Sequence, residues 1–261
     1  MKHIALMFIL LSGCATRLED ILFAPDLARA SSDLGHPDLA QTDLGNPSLC
    51  TVANALLCDG FEAAGLQSPP WWMVAWNASI GPDTARAYRG TQSIHVHTDN
   101  AVPTHDAFQS ELTETAVAPT PDFFVRAYVF VPSPMPLAQM RMIGVLQADG
   151  PNLGPSLYAA PNQLQLILAN GISSTAPIQL PLDHWVCLEL EVVTATAGAM
   201  HFWIDGEAVP ALDYAGDTTT SPLVGRVSLG AAFFGKTSPQ PVFDYWFDEI
   251  VFDDKRVGCD R

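Results

Sequence analysis

The sequence predicts an all-β domain, a sandwich of two antiparallel sheets, carried behind a leader that builds no core of its own. Three observations predict it. Apolar residues recur with period two in many short runs, as in WVCLELEVV from Trp185, the rhythm of a strand with one buried face. The runs are separated by frequent turn residues, 21 prolines and 18 glycines in 261 positions. No long stretch keeps the 3.6-residue period of an amphipathic helix.

The leader comes first. MKHIALMFILLSGC starts basic, runs apolar from Ile4 to Leu11 and ends Ser12-Gly13-Cys14. The apolar run is too short to span a bilayer. The segment looks like the signal peptide and lipobox of a bacterial lipoprotein, which implies that Cys14 carries the lipid and becomes the new N-terminus. Ala15 stands where an aspartate would resemble an inner-membrane retention signal, so the expected location is the cell envelope, at the outer membrane. Residues 15–48 repeat loosely as PDLA and DLG, at Pro25, Asp33, Pro37 and Asp43. Lone leucines among prolines, glycines and aspartates cannot assemble a buried face, so this stretch is expected to be a disordered Asp/Leu/Pro-rich linker. As flexible coil it would reach roughly 30 Å.

Residues 49–261 suit one large domain. The expected strands are Ala55 to Phe61, Trp72 to Trp76, Ser93 to Thr98, Phe108 to Thr113, Phe123 to Val131, Met142 to Gln147, Leu164 to Leu168, a hairpin from Trp185 to Ile204, Val227 to Phe234 and Tyr245 to Phe252. Evenly spaced strands separated by turn signals indicate a sandwich. In the hairpin, pairing Val193 with Ala199 sets Glu191 opposite His201 and Glu189 opposite Trp203. Val186, Leu188, Leu190 and Val192 then share the core face with Phe202 and Ile204. Asp205-Gly206 reads as a tight turn.

Four cysteines lie beyond Cys14: Cys50, Cys58, Cys187 and Cys259. An even number in an exported chain points to two disulfides. Of the three possible pairings, the one preferred joins Cys50 to Cys58 as a local clasp and Cys187 to Cys259 as a tie between hairpin and C-terminus. A zinc site is the rival, with no CxxC to support it. Charge narrows the partners. With 28 acidic against 12 basic residues, a formal net charge of −16, the chain repels nucleic acid and anionic lipid. The compatible partners are a neutral glycan or a protein surface, with the membrane reached through the lipid anchor alone.

Alternation also suggests a ligand face. Glu111, Arg126 with Tyr128, Gln147, Glu189, Glu191, His201 and Trp203 line one groove if their strands form the concave sheet. A sugar site needs an aromatic platform, here Trp203 and Tyr128, with carboxylates and amides for the hydroxyls. The competing account makes Glu111 and Arg126 an ion pair between neighbouring strands. His95 and His97 share a strand face, a geometry that can bind zinc. No third ligand is identifiable from the sequence, and a half-exposed surface strand is the preferred reading.

CDGFE at Cys58, YRGTQSIHVHT at Tyr88, FFVRAYVFVPSP at Phe123, HWVCLELEV at His184, MHFWIDGEAV at Met200 and DYWFDEIVF at Asp244 occur in a recognisable order. Together they resemble the concanavalin A-like lectin/glucanase jelly roll in its laminin-G-like form, over the whole stretch from Leu49 onward. That fold hosts lectins, binding modules, glycosidases and lyases, so the resemblance implies a fold more than a reaction. It implies a structural calcium held by Glu62, the backbone near Gly90 and Asp248. It also frames the alternatives to a non-catalytic carbohydrate-binding or adhesion module. A glycosidase would use Glu189 and Glu191, which face the same way but lack the third acid of the family's ExDxE-like motif, because Val193 stands there. A divergent polysaccharide lyase would use Glu111, Arg126 and Gln147, although the family's arginine before the glutamate is Gln109 here. A purely structural envelope lipoprotein is the third class.

Overall fold

A computed structural model describes residues 48–51, 55–63, 71–76, 78–98, 107–114, 121–135, 139–147, 153–168, 171, 173–219, 224–234 and 242–259. The expected signal peptide with Cys14 and the expected linker, apart from Ser48, lie outside them. No α-helix occurs among the described residues. The strands are β1 (Leu57–Asp59), β2 (Trp71–Trp76), β3 (Ala78–Asp83), β4 (Ser93–Thr98), β5 (Ala107–Glu114), β6 (Asp122–Phe130), β7 (Met140–Gln147), β8 (Leu153–Ala160), β9 (Gln163–Ile167), β10 (Ser173–Ala176), β11 (Trp185–Val193), β12 (Gly198–Ile204), β13 (Glu207–Ala208), β14 (Tyr214–Gly216), β15 (Val224–Phe234) and β16 (Phe243–Asp253).

They form two antiparallel sheets. Sheet one runs β13-β12-β11-β6-β16-β4-β3, with β1 added on β16 and β14 on β12. Sheet two runs β10-β9-β8-β7-β15-β5-β2. The hairpin register matches the expectation: Val193 pairs with Ala199, Glu191 with His201 and Glu189 with Trp203. The turn that follows the hairpin, Asp205-Gly206 between β12 and β13, has φ of 51° and 82°, the two left-handed positions of a type I′ connection. Asp205 anchors the turn to the start of β11, where its carboxylate accepts the Cys187 amide at 2.8 Å.

The core lies between the sheets. Val186, Leu188, Leu190 and Val192 of β11 are fully buried beside Val125 and Ala127 of β6, and face Ile143, Leu157, Leu166 and Leu229 of sheet two. β6 sits between β11 and β16, and every residue from Phe123 to Phe130 is buried. Both disulfides of the preferred pairing are present, Cys50–Cys58 and Cys187–Cys259. Strands β3, β8, β10, β13 and β14 escape the sequence reading. β3 and β8 carry Gly81-Pro82 and Gly154-Pro155, which read as breakers. β3 tolerates its proline because it is an edge strand, and β8 because its pairing with β7 is irregular there.

Candidate functional site

The eight residues of the expected ligand face do not line one groove. Position 111 belongs to sheet two, where β5 sets it opposite Gly230 and Val74, and position 147 pairs with Val224 in the same sheet. For Glu111 and Gln147 only the backbone is described. The other six lie on the outward face of sheet one. Glu111 and Arg126 are therefore not on neighbouring strands; the register partners of Arg126 are Glu189 and Val251. Period-two alternation identifies a face within a strand, and it is blind to which sheet the strand joins.

On sheet one the polar face is covered. Glu189 is fully buried. Its Oε2 accepts Arg256 Nε at 2.9 Å, and its Oε1 accepts the amides of Val257 at 3.2 Å and Gly258 at 2.8 Å. The Arg256 guanidinium lies 4.2 Å from the centre of the Trp203 ring. Arg126 donates to the carbonyls of Gly258 and Glu249 at 3.2 and 3.3 Å, and Tyr128 is stacked on Tyr88 at 3.7 Å. The C-terminal segment, closed by Cys259, thus seals the groups expected to meet a ligand. Glu191 and His201 stay half-buried and face each other across the hairpin. Burial pushes the Glu191 carboxyl up, with His201 opposing. His201 itself pairs with Asp213 at 3.2 Å. An acid pair built from Glu189 and Glu191 has one member with both oxygens already engaged.

The three positions expected to hold calcium converge on one loop, residues 88–92. Glu62 accepts the Thr91 amide at 2.9 Å, its hydroxyl at 2.7 Å and the Gln92 amide at 3.3 Å. Gly90, at φ 69°, presses against that carboxylate so closely that an added Cβ would stand 2.2 Å from Oε1. Asp248 grips the other end, accepting the amides of Tyr88 at 2.9 Å and Arg89 at 3.2 Å. Burial pushes the Asp248 carboxyl up to about 8, opposed by the Arg89 amide and reinforced by the charge of Glu249. Glu249 is also raised by burial, and its buried Oε1 has no hydrogen-bond partner. Asp248 and Glu249 are adjacent buried carboxyls, the oxygen chemistry a hard cation takes, whereas Glu62 is exposed and already engaged by Thr91 and Gln92.

Sheet two presents a different face. Ser228, Gly144 and Ser156 form one register row across β15, β7 and β8, and Ala232, Arg141, Tyr158 and Gln165 form another. Both rows point away from the core, since their neighbours Leu157, Leu166 and Leu229 point into it. Even so, Arg141, Ser156 and Ser228 are at most 2% exposed. Arg141 is the largest of the fully buried side chains, and its stem crosses Gly144, where an added Cβ would meet it at 3.5 Å. Register shifts on both sides of β7 bend the strand at this point. Sequence reasoning missed Arg141; the available signal was a lone guanidinium inside the apolar run MRMIGVLQ. It also missed Asp244, which lies between the two histidines of β4.

These sheets make the protein a jelly-roll β-sandwich. Among solved structures it is similar to the cellulose-induced protein Cip1, with a TM-score of 0.62, 19% identity, and coverage of 78% of this chain and 100% of that one. It is also similar to a GH131 β-glucanase catalytic domain from Podospora anserina (0.56, 10%, 79% and 98%) and to an endo-β-1,4-glucuronan lyase from the fungus Trichoderma reesei (0.53, 11%, 76% and 95%). At these identities the likeness establishes the fold alone. No protein-family model matches the chain, and no curated protein matches it.

Proposed function

We propose that the chain is a lipid-anchored module of the cell envelope that holds a neutral glycan, without cleaving it, on the outward face of sheet two. One observation carries this reading: a buried guanidinium, Arg141, laid over Gly144 between Ser156 and Ser228 on a face that takes no part in the core. Arg141 and the serines carry donors that suit sugar hydroxyls, and half-buried Tyr158 and Gln165, at the border of the row, are the groups a glycan would reach first. The solved structures it resembles include a β-glucanase and a glucuronan lyase, which supports a carbohydrate role on this scaffold. Cys14 would anchor the module to the outer membrane. Calcium would be held by Glu62, Asp248 and the backbone near Gly90 as a stabiliser of the 88–92 loop.

A second reading, a divergent lyase, is favoured by the register pair Arg141 and Tyr158, since a uronate needs a cation beside a proton acceptor. The net charge of −16 opposes a polyanionic substrate. The test is retention of the full chain on immobilised neutral and acidic polysaccharides, with reducing ends and unsaturated-uronate absorbance followed in parallel. Retention without product is expected, reduced in Tyr158→Ala and Gln165→Ala and unchanged in His201→Ala. Unsaturated product that vanishes in Tyr158→Phe would establish the lyase instead. Absence of both retention and product would leave a structural lipoprotein.

A further inference from the structure

We propose that His95, His97 and Asp244 form a binding site for a divalent transition-metal ion, with zinc as the ion it takes. β4 and β16 are neighbours, and Asp244 is the direct register partner of His97. His95, two residues along β4, lies on the same outward face. His95 Nε2 stands 2.8 Å and His97 Nδ1 2.7 Å from the same carboxylate atom, Asp244 Oδ1. One ligand atom from each of the three residues can be chosen so that all lie within 4.8 Å of one another. Two imidazole nitrogens aimed at a single oxygen form, with protons between them, the arrangement a metal would occupy once those protons leave. Tetrahedral zinc needs ligand atoms about 3.3 Å apart, given bonds near 2 Å, so side-chain rotation is enough and no strand has to move.

The surroundings suit such a site. The His95 ring is stacked on Trp246 at 4.5 Å and 11°. Trp246 in turn donates its indole N–H to Asp83 at 2.6 Å and lies 4.8 Å from the Arg86 guanidinium, so one imidazole is oriented before any ion arrives. The three side chains are 30%, 39% and 37% exposed, which lets an ion in with water at the remaining position. Gly81, the register partner of His95 on the edge strand, has nothing within 4 Å of where a Cβ would stand, leaving that side open. Two nitrogens and one oxygen are a donor set for zinc, copper or nickel and a poor one for calcium or magnesium. Sulfur competition from within the domain is absent, because Cys50, Cys58, Cys187 and Cys259 are paired. The site shares no residue with the calcium positions or with the face around Arg141, so its test is independent of both.

The experiment titrates the chelator-stripped full chain with zinc against a chromogenic competitor. One zinc per chain is expected, with affinity reduced at least about tenfold in His97→Gln and in Asp244→Asn, unchanged in His184→Gln, and not displaced by excess calcium. Far-ultraviolet circular dichroism on each variant verifies the fold. A second readout does not depend on those variants: copper(II) at the site should quench Trp246 emission, and Trp246→Phe should remove that quenching while zinc still binds. No saturable zinc uptake, uptake untouched by both ligand substitutions, or copper quenching that survives Trp246→Phe would each overturn the assignment.

Discussion

The outward faces of the two sheets both bury polar side chains, and they do so in different ways. Sheet one carries Glu189, Arg126, Tyr128 and Trp203, the richer set on paper, yet a C-terminal strap tied by Cys187–Cys259 and the loop around Tyr88 lie over it. Each charge there has a fixed partner, so the polar groups fasten chain segments to the sheet. Sheet two has glycine and serine at the centre and one crossing arginine. Its polar groups are buried as well, at most 2% exposed, over a strand bent at its register shifts. A buried polar face is thus made a lock by the chain segments laid over it, as on sheet one, whereas the receptor role of sheet two is the proposal made above.

The largest expected change is with pH, at the Asp248 lock. An unfolded aspartate loses its proton near 4, whereas Asp248 holds its proton to about 8, so the folded state binds more protons across that window. Its contribution is fully present below pH 4 and is lost as pH rises towards 8, on the order of 5 kcal/mol without a cation. Urea unfolding at several pH values in chelator should show the decline in the wild type and a flatter profile in Asp248→Asn. Added calcium should suppress the decline if the proposed metal binds.

Next come the disulfides. Cys187–Cys259 closes 72 residues and Cys50–Cys58 closes eight, so paired serine substitutions should cost about 4 and about 2.5 kcal/mol by loop entropy. The first should also expose Glu189 to solvent, read as increased hydrogen exchange at Val257 and Gly258. Smaller again is Glu189→Gln, which takes the carboxylate partner from Arg256 and leaves it the Gly206 carbonyl and the Trp203 ring. Because Arg256 is partly exposed, a loss of about 1–2 kcal/mol is expected, between the values for exposed and buried pairs. Glycan retention should not change, and a loss of retention in a folded Glu189→Gln would return the ligand site to sheet one. The smallest effect is Asp213→Ala, which removes a half-exposed pair with His201 and should cost under about 1 kcal/mol in thermal unfolding.

Local features of the fold were legible. The register of β11 on β12 follows from a four-residue connection, Thr194 to Ala197, which allows little slippage once one face must be apolar. The Asp-Gly turn and the Cys50–Cys58 clasp are likewise readable over short distances. The site was legible only in fragments. Glu62, Gly90 and Asp248 were matched through resemblance and do meet at one loop, while Glu189 and Trp203 were matched by alternation and are sealed. His95 and His97 announced themselves, but their partner lies 149 and 147 residues away.

The alternation of the expected strands, the hairpin, the turn after it, the apolar face of β11 and the acidic balance of the chain follow from the sequence alone, because these depend on side-chain chemistry and near neighbours; β3, β8, β10, β13 and β14 do not. Only the tertiary structure decided that β5 and β7 join one sheet while β6 and β11 join the other, that Arg256 lies over Trp203, and that Asp244 stands between two histidines. Those outcomes come from pairings between distant strands, where the stability of the whole sandwich selects among registers that are each locally acceptable, and a period of two carries no information about that choice.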